Sequence, residues 1–435
     1  MLEVDAAVSA LRSRAVTLLK DLVGADSTVG HEVAAQGVLA VALADAGFTV
    51  ERLDIPESIA QDPLAGVPLV PYAGRFVLVA RRPAAPGPSS APSLLVNGHM
   101  DVVPVEEAGG WTTSPFEPHE RDGWLFGRGA GDMKCGFAMG WLAIRALDAA
   151  RPGWQRGDLT IVSVIEEECT GNGTLAACRA GVVADAALLL EPTDLELLLA
   201  GVAIVWVEIS VQGRAAHAEA AGRSVNPILA SAPVLQGLLG LEARMNEEHV
   251  AGDGDPAFVG MRKPYLVNVG RFNSGSWASS VPGVARLEVR VGHPACWSAE
   301  MTLERVREAV LGAAAGDVWL TEHPPTFRLS GFRAQRYAQE ADDSFVRRLA
   351  AAHAAVHGRE PAAVAIGSTT DARYYRNLVG IPTVAYGPRT RNLHGVDEAV
   401  ELASIVEGAR TLTRFFADWL GREECAGGEE FADVG

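Results

Sequence analysis

The chain has 435 residues, 48% hydrophobic and 21% charged, with 37 basic against 54 acidic side chains and a net charge of −17. That length suits two or three domains, and the apolar share excludes a disordered polymer. The negative charge disfavours nucleic acid or an anionic membrane as partner.

Residues 1–5 are acidic and carry no signal-peptide pattern. Leu11, Ala15, Leu18, Leu19 and Leu22 fall at helical spacing over 5–23, with Gly24 as the stop. A second helix is predicted over 31–46, closed by Gly47. A strand begins at 48–50, residues 54–74 read as a loop, 76–80 as a strand and 83–92 as a connection. Residues 94–97 are a buried apolar run that stops at Gly98 and presents His99 and Asp101. Open α/β sheets bind ligands just beyond such strand ends. The His-x-Asp spacing suits a metal-binding imidazole oriented by a carboxylate. Alone, His99 reads more often as a loop histidine satisfied by its neighbours than as a ligand.

Residues 111–118 look irregular, and 124–132 form a glycine-rich approach to a helix over 133–149. A phosphate loop is disfavoured because no Lys-Ser/Thr follows at the required spacing. Asp132 reads as a helix N-cap or as a metal carboxylate. The strand over 159–165 runs directly into Glu166-Glu167-Glu168 and a glycine turn. Acidic runs are commonly solvated faces, but at a sheet rim their mutual repulsion calls for a cation or a proton. The strand over 186–190 ends at Glu191, fixed by Pro192, and the strand over 382–386 feeds a loop holding His394. Four strands thus hand His99, Glu168, Glu191 and His394 to one edge, and Asp132 joins them from a helix start. This mixed nitrogen and oxygen set suits zinc, with cobalt or manganese as alternatives, and is too nitrogen-rich for calcium.

The middle of the chain differs. An alternating strand over 203–211, a helix over 226–245, a loop over 246–264, strands over 266–269 and 285–291 and a helix over 301–314 read as a small α+β unit with an antiparallel sheet. A helix over 342–357 returns to the first pattern. The expected fold class is α/β. A mostly parallel-sheet catalytic domain in two parts, 1–202 and 331–435, is interrupted by an inserted lid or dimerisation domain, 203–330. No internal repeat is found, and the tail from 421 reads as loose. The five cysteines Cys135, Cys169, Cys178, Cys296 and Cys425 are widely spaced, which favours a reducing compartment. No apolar run reaches membrane-spanning length, so a cytoplasmic location is expected.

The pieces Gly98-His99-Met100-Asp101, 127–134, Glu167-Glu168, Glu191-Pro192-Thr193, 213–217, 369–373 and His394-Gly395-Val396-Asp397-Glu398 occur in one order along nearly the whole chain. In these the chain resembles the M20 metallopeptidase and deacylase family, which includes acetylornithine deacetylase and succinyl-diaminopimelate desuccinylase. The resemblance implies two divalent metal ions bridged by Asp132. His99 and Glu191 would complete one site, and Glu168 and His394 the other. Asp101 would orient His99, and Glu167 would be the general base on a metal-bridging hydroxide; Glu166 is assigned no role.

The resemblance makes His217 an oxyanion donor, often reaching the site from a dimer partner; the alternative is a solvent-facing strand end. Asn226 reads as a helix cap or as a neighbour of the site. Arg290, Arg373, Thr369 and Thr370 are candidates to hold a substrate carboxylate, with ordinary surface salt bridges as the alternative for each arginine. Trp206 and Trp277 read as pocket walls, core or dimer contacts. The implied function is removal of an acyl group from an N-acyl amino acid or related amine. A dipeptidase or exopeptidase on the same fold is the alternative. An inactive binding protein is disfavoured because every proposed ligand and the base are present. A homodimer through the insert is expected, and neither nucleic acid nor membrane as partner.

Overall fold

The near-continuous apolar runs at 76–80, 94–96 and 159–165 need burial on both faces, which an inner sheet strand provides. In the computed structural model, which describes residues 2–84, 91–105 and 110–421, they are the strands Phe76–Arg82, Leu94–His99 and Leu159–Val164. These belong to a nine-stranded sheet. Its order is Thr49–Asp54, Phe76–Arg82, Leu159–Val164, Leu94–His99, Ala187–Leu189, Thr383–Ala385, Leu197–Gly201 and Tyr337–Ala338, with Ala363–Ile366 pairing Leu197–Gly201 off that path. The middle strands Leu159–Val164, Leu94–His99, Ala187–Leu189 and Thr383–Ala385 are mutually parallel. Antiparallel pairings lie toward both edges.

Alternation sends Leu78, Leu94, Val96 and Leu188 to one face. There they join the helices Leu2–Gly24, Lys134–Ala150, Ser344–His357 and Leu402–Trp419 in one core. Val79, Leu95, Val162 and Leu189 face the other way, toward the helix Asn172–Arg179 and the turn Tyr374–Val379. Between Gly201 and Tyr337 the chain builds a separate sheet, antiparallel throughout, in the order Val267–Ser274, Val284–His293, Ala203–Gln212 and Thr326–Ala334. Its apolar residues form a second core with those of the helices Ala232–Glu248 and Ala299–Ala314. A third small sheet joins Thr390–Arg391, Ala399–Glu401, Trp124–Phe126 and His119–Arg121. It brings the His394 loop against the glycine-rich segment. The fold class is α/β with a mostly parallel central sheet and separate antiparallel sheets.

Several elements depart from the sequence reading. The strand Thr326–Ala334 was not expected, because Arg328, Gly331 and Arg333 interrupt its apolar pattern. Its register also shifts between Ser330 and Arg333. The helix predicted over 226–245 is two helices, Pro227–Ala230 and Ala232–Glu248. Pro233 lacks the N–H that a continuous helix would use. The predicted loop 246–264 contains the helical turns His249–Asp253 and Pro256–Phe258. Most of the connection 83–92 and the tail beyond 421 lie outside the described residues.

Gly136, in the helix Lys134–Ala150, lies so close to the strand before Glu191 that an added Cβ would stand 2.1 Å from the Leu190 carbonyl oxygen. Gly37, inside the helix Val33–Asp45, has nothing within 4 Å of that position. Chemical denaturation should therefore separate the two. Gly136→Ala should lose about 1–3 kcal/mol through overpacking, whereas Gly37→Ala should gain up to about 1 kcal/mol from helix propensity.

Candidate metal centre

Parallel strands that end together bring their C-terminal residues to one rim. His99 closes the strand Leu94–His99, Glu167 and Glu168 follow Leu159–Val164 by a short turn, and Glu191 follows Ala187–Leu189. Asp132 stands two residues before the helix Lys134–Ala150, and Met133, not Asp132, is that helix's N-cap residue. The Asp132 carboxylate is free of the capping role because it faces two imidazoles. Its Oδ1 lies 3.1 Å from His99 Nε2 and its Oδ2 lies 3.4 Å from His394 Nε2. His99 Nε2 is also 3.8 Å from Glu191 Oε2, and His394 Nε2 is 3.2 Å from Glu168 Oε2.

Two donor groups result, His99/Asp132/Glu191 and Asp132/Glu168/His394, each with ligand atoms within 4.8 Å of one another. Ligands about 2.0–2.2 Å from one tetrahedral zinc ion stand about 3.3–3.6 Å apart, so these spacings suit a cation in each group. The Oε1 atoms of Glu168 and Glu191 are buried without a hydrogen-bond partner. A buried carboxylate oxygen without a donor is costly, and a divalent cation would satisfy it. The residues present therefore fit the metal pair.

The electrostatics follow from crowding. Burial would raise the Asp132 pKa, yet hydrogen bonds from His394 and His99 hold it well below the usual carboxylate range. Burial, reinforced by Glu191, pushes Glu167 well up. Burial lifts Glu191 to about 8 against the pull of His99. The Glu168 carboxylate raises His394 to about 11, against its burial. Glu167 is 7% exposed, and its carboxylate makes no hydrogen bond among the described residues. A carboxyl group with a raised pKa, beside two cation sites and free of partners, can accept and return a proton.

His99 Nδ1 lies 2.9 Å from the backbone carbonyl of Asp101, while the Asp101 carboxylate is 3.8 Å away. That carboxylate instead accepts the backbone N–H groups of Glu167 at 3.2 Å and Glu168 at 3.1 Å. Asp101 thus serves both halves of the centre, through its backbone carbonyl and its carboxylate. Burial pushes its pKa to about 7.

Other nominated residues stand apart from the donor groups. His217 is exposed on a short strand pair with Ser280, and its Nδ1 accepts the Glu219 N–H. Asn226 caps the helix Pro227–Ala230 by accepting the Ile228 N–H at 3.0 Å. Arg290 is partly buried and donates to the Gly367 carbonyl at 2.7 Å, which ties the insert's sheet to the loop before Thr369. Arg373 is 2% exposed. Its guanidinium is engaged by the carbonyls of Thr370 and Thr170, by Asp371 at 3.2 Å and by the rings of Phe332 and Tyr374. Thr370 donates to Tyr337 Oη, whereas the Thr369 hydroxyl is buried without a partner. Trp206 packs edge-on against Phe332 in the insert's core, and Trp277 is 74% exposed.

Sequence reasoning missed two buried ionic clusters. Glu166 adopts a left-handed φ of 65°. Its carboxylate binds Arg75 at 2.6 Å, Tyr72 Oη at 2.8 Å and Thr170 Oγ1 at 2.7 Å, and Arg75 in turn binds Glu32. This anchors the turn that presents Glu167 and Glu168. Glu398 likewise binds Arg128 and the backbone of the glycine-rich segment. Glu398 lay within a quoted motif, but its spacing carried no sign of these partners.

Residues 95–418 match Peptidase family M20/M25/M40. The chain is 30% identical over 352 residues to the N-formyl-4-amino-5-aminomethyl-2-methylpyrimidine deformylase of Bacillus subtilis, covering 76% of this chain and 80% of that one. It is 30% identical over 417 residues to the succinyl-diaminopimelate desuccinylase of Methylorubrum populi, covering 92% and 98%. Among solved structures, the di-peptidase Dug1p of Saccharomyces cerevisiae has a TM-score of 0.79 at 14% identity, covering 97% of this chain and 99% of that one. Human carnosine dipeptidase 1 has a TM-score of 0.75 at 15% identity, with 96% and 99% covered; these two likenesses concern the fold alone. With its fold, its donor groups and the match over most of its length taken together, this chain belongs to Peptidase family M20/M25/M40 and is a hydrolase of amide bonds.

Proposed function

We propose that the chain is a two-metal deacylase that removes an acyl group from an N-acyl amino acid or a related N-acyl amine. The observation that carries this reading is the pair of donor groups sharing Asp132, with the Glu167 carboxylate free beside them. Its curated relatives act on a formyl and a succinyl amide. Zinc is the proposed ion, with cobalt and manganese as alternatives, because the donors mix imidazole with carboxylate.

His99, Asp132 and Glu191 would hold one ion, and Asp132, Glu168 and His394 the other. When bound, such a pair supplies Lewis acidity and lowers the pKa of a coordinated water to about 7. Glu167 takes the proton of the attacking water on a carboxylate oxygen and returns it to the departing nitrogen. Asp101 fixes the backbone of Glu167 and Glu168 through the two N–H groups it accepts. It also helps set the His99 ring, through its carbonyl.

The division of the chain at 202/203 and 330/331 belongs to the same reading, with the insert as lid. The insert's separate antiparallel sheet supports an inserted unit, but its last strand, Thr326–Ala334, crosses 330/331, so we place the second boundary after Ala334. We assign His217 to the oxyanion of a partner subunit in a homodimer formed through the insert, since His217 is exposed on its own chain. Arg290 is assigned to the substrate carboxylate, with Thr369 beside it. Its guanidinium has no acidic partner among the described residues, and burial pulls its pKa down. The enclosure of Arg373 argues for a supporting role behind Thr370. Cys135, Cys169, Cys178 and Cys296 are free thiols, which supports a reducing compartment such as the cytoplasm. No helix among the described residues is long and apolar enough to cross a membrane.

Elemental analysis of the purified protein should find two divalent ions per chain. Chelation should abolish turnover and zinc should restore it; full activity of chelated protein would sink the metal reading. Glu167→Gln should lower kcat by about 10²–10⁴-fold, the usual worth of a general base, while keeping both ions by the same analysis. In a panel of N-formyl, N-acetyl and N-succinyl amines against dipeptides, the acyl compounds should turn over faster. Preference for dipeptides would replace the deacylase with a dipeptidase on the same centre.

A further inference from the structure

Glu398 is fully buried, and its Oε1 accepts the N–H groups of Gly129 at 3.0 Å, Gly131 at 2.9 Å and Asp132 at 2.9 Å. Its Oε2 pairs with Arg128 Nη1, and Arg128 Nη2 donates to the His394 carbonyl at 3.1 Å. The Glu398 carbonyl accepts the Gly127 N–H at 3.0 Å. The segment so held is permissive by itself: Gly127 has φ 152° and Gly129 has φ 81°. Successive backbone N–H groups converging on one anion make a concave nest, and here the anion is a side chain from the far end of the chain. His394 itself has φ 62°, a conformation uncommon outside glycine. Among the described residues, neither Glu398 nor Arg128 hydrogen-bonds or ion-pairs with His99 or Glu191; both touch the Asp132 and His394 side of the centre.

We infer that Glu398, acting with Arg128, is a positioning residue that sets the Asp132 and His394 donors against each other, and so governs uptake of the ion held by Asp132, Glu168 and His394. The assignment rests on the two-metal reading above. Glu398 touches neither ion nor substrate; it acts through the backbone of Asp132 and, by way of Arg128, the carbonyl of His394. The group His99/Asp132/Glu191 shares only Asp132 with it. Its other two donors are set by the central sheet and by Asp101.

The test is a two-step cobalt titration of metal-free protein, followed by calorimetry and by visible absorption of the bound ion. In Glu398→Ala the step lost in His394→Ala should weaken by about 10–100-fold, the usual cost of losing a group that orients metal ligands, and the step lost in His99→Ala should weaken far less. The variant should resemble His394→Ala and not His99→Ala. Glu398→Gln keeps an oxygen for the three N–H groups but turns an NH2 toward Arg128, so it should fall between the wild type and Glu398→Ala. The melting temperature of each metal-free variant reports folding; if Glu398→Ala does not fold, Glu398→Gln and Arg128→Lys carry the test. Unchanged affinities, or equal weakening of both steps, overturn the assignment while leaving the two-metal reading intact. Wild-type protein that takes up no second ion overturns both.

Discussion

The repulsion among buried carboxylates at one sheet rim is the constraint on which the rest of this structure depends. Asp132, Glu167, Glu168 and Glu191 converge there, with Asp101, Glu166 and Glu398 just behind. Buried charges persist only when paired, hydrogen-bonded or coordinated. Each carboxylate behind the rim has a counterpart within the chain. Arg75 serves Glu166, Arg128 serves Glu398, and two backbone N–H groups serve Asp101. The donors at the rim do not. Their partners are two imidazoles whose pKa values are driven up, and two carboxylate oxygens stay unsatisfied. The molecule neutralises its supporting layer with its own groups and leaves negative charge where cations would enter.

The supporting ion pairs are poor candidates for net stability. Desolvating a guanidinium and a carboxylate can cost as much as their attraction returns. Their use is directional. Arg75 spans Glu32 and Glu166, so that the left-handed turn at Glu166 presents the next two carboxylates to the rim. Glu398 does the same for a glycine-rich segment that has no preferred shape by itself. Such second partners orient ligands and tune their basicity, and here they come from loops and helices far along the chain.

Polar contacts join the insert to the catalytic part, among them Arg336 with the Asp255 carboxylate. Arg290 reaches the Gly367 carbonyl, and the Gly331 carbonyl accepts the Val67 N–H. In the insert's sheet Arg290 stands opposite Trp206 on one side and Asn268 on the other. This places the guanidinium between an amide and an indole on neighbouring strands. A contact that uses one donor of five leaves the fork available to a planar anion.

The amino-acid sequence by itself determined the inner strands Phe76–Arg82, Leu94–His99 and Leu159–Val164, most of the helices that cover them and the residues at the strand ends, but not the strand Thr326–Ala334. These depend on local period and on side chains adjacent in the chain: an apolar run that ends in Gly98-His99 or Ile165-Glu166-Glu167-Glu168 carries its own signal. Only the tertiary structure decided which groups meet across the chain. Asp101 looked like the carboxylate partner of His99, yet its oxygens accept the N–H groups of Glu167 and Glu168, because the turn after the neighbouring strand lies nearer than the ring. Arg373 looked available to a substrate, yet packing encloses it beneath Phe332 and Tyr374. Glu32 and Arg75 carried no sequence signal, and although Arg128 and Glu398 lie in segments that carry the family resemblance, nothing in their spacing pointed to each other. A hydrogen bond over 267 residues, such as Gly131 to Glu398, has no period, and its geometry exists only once the core has set the distance.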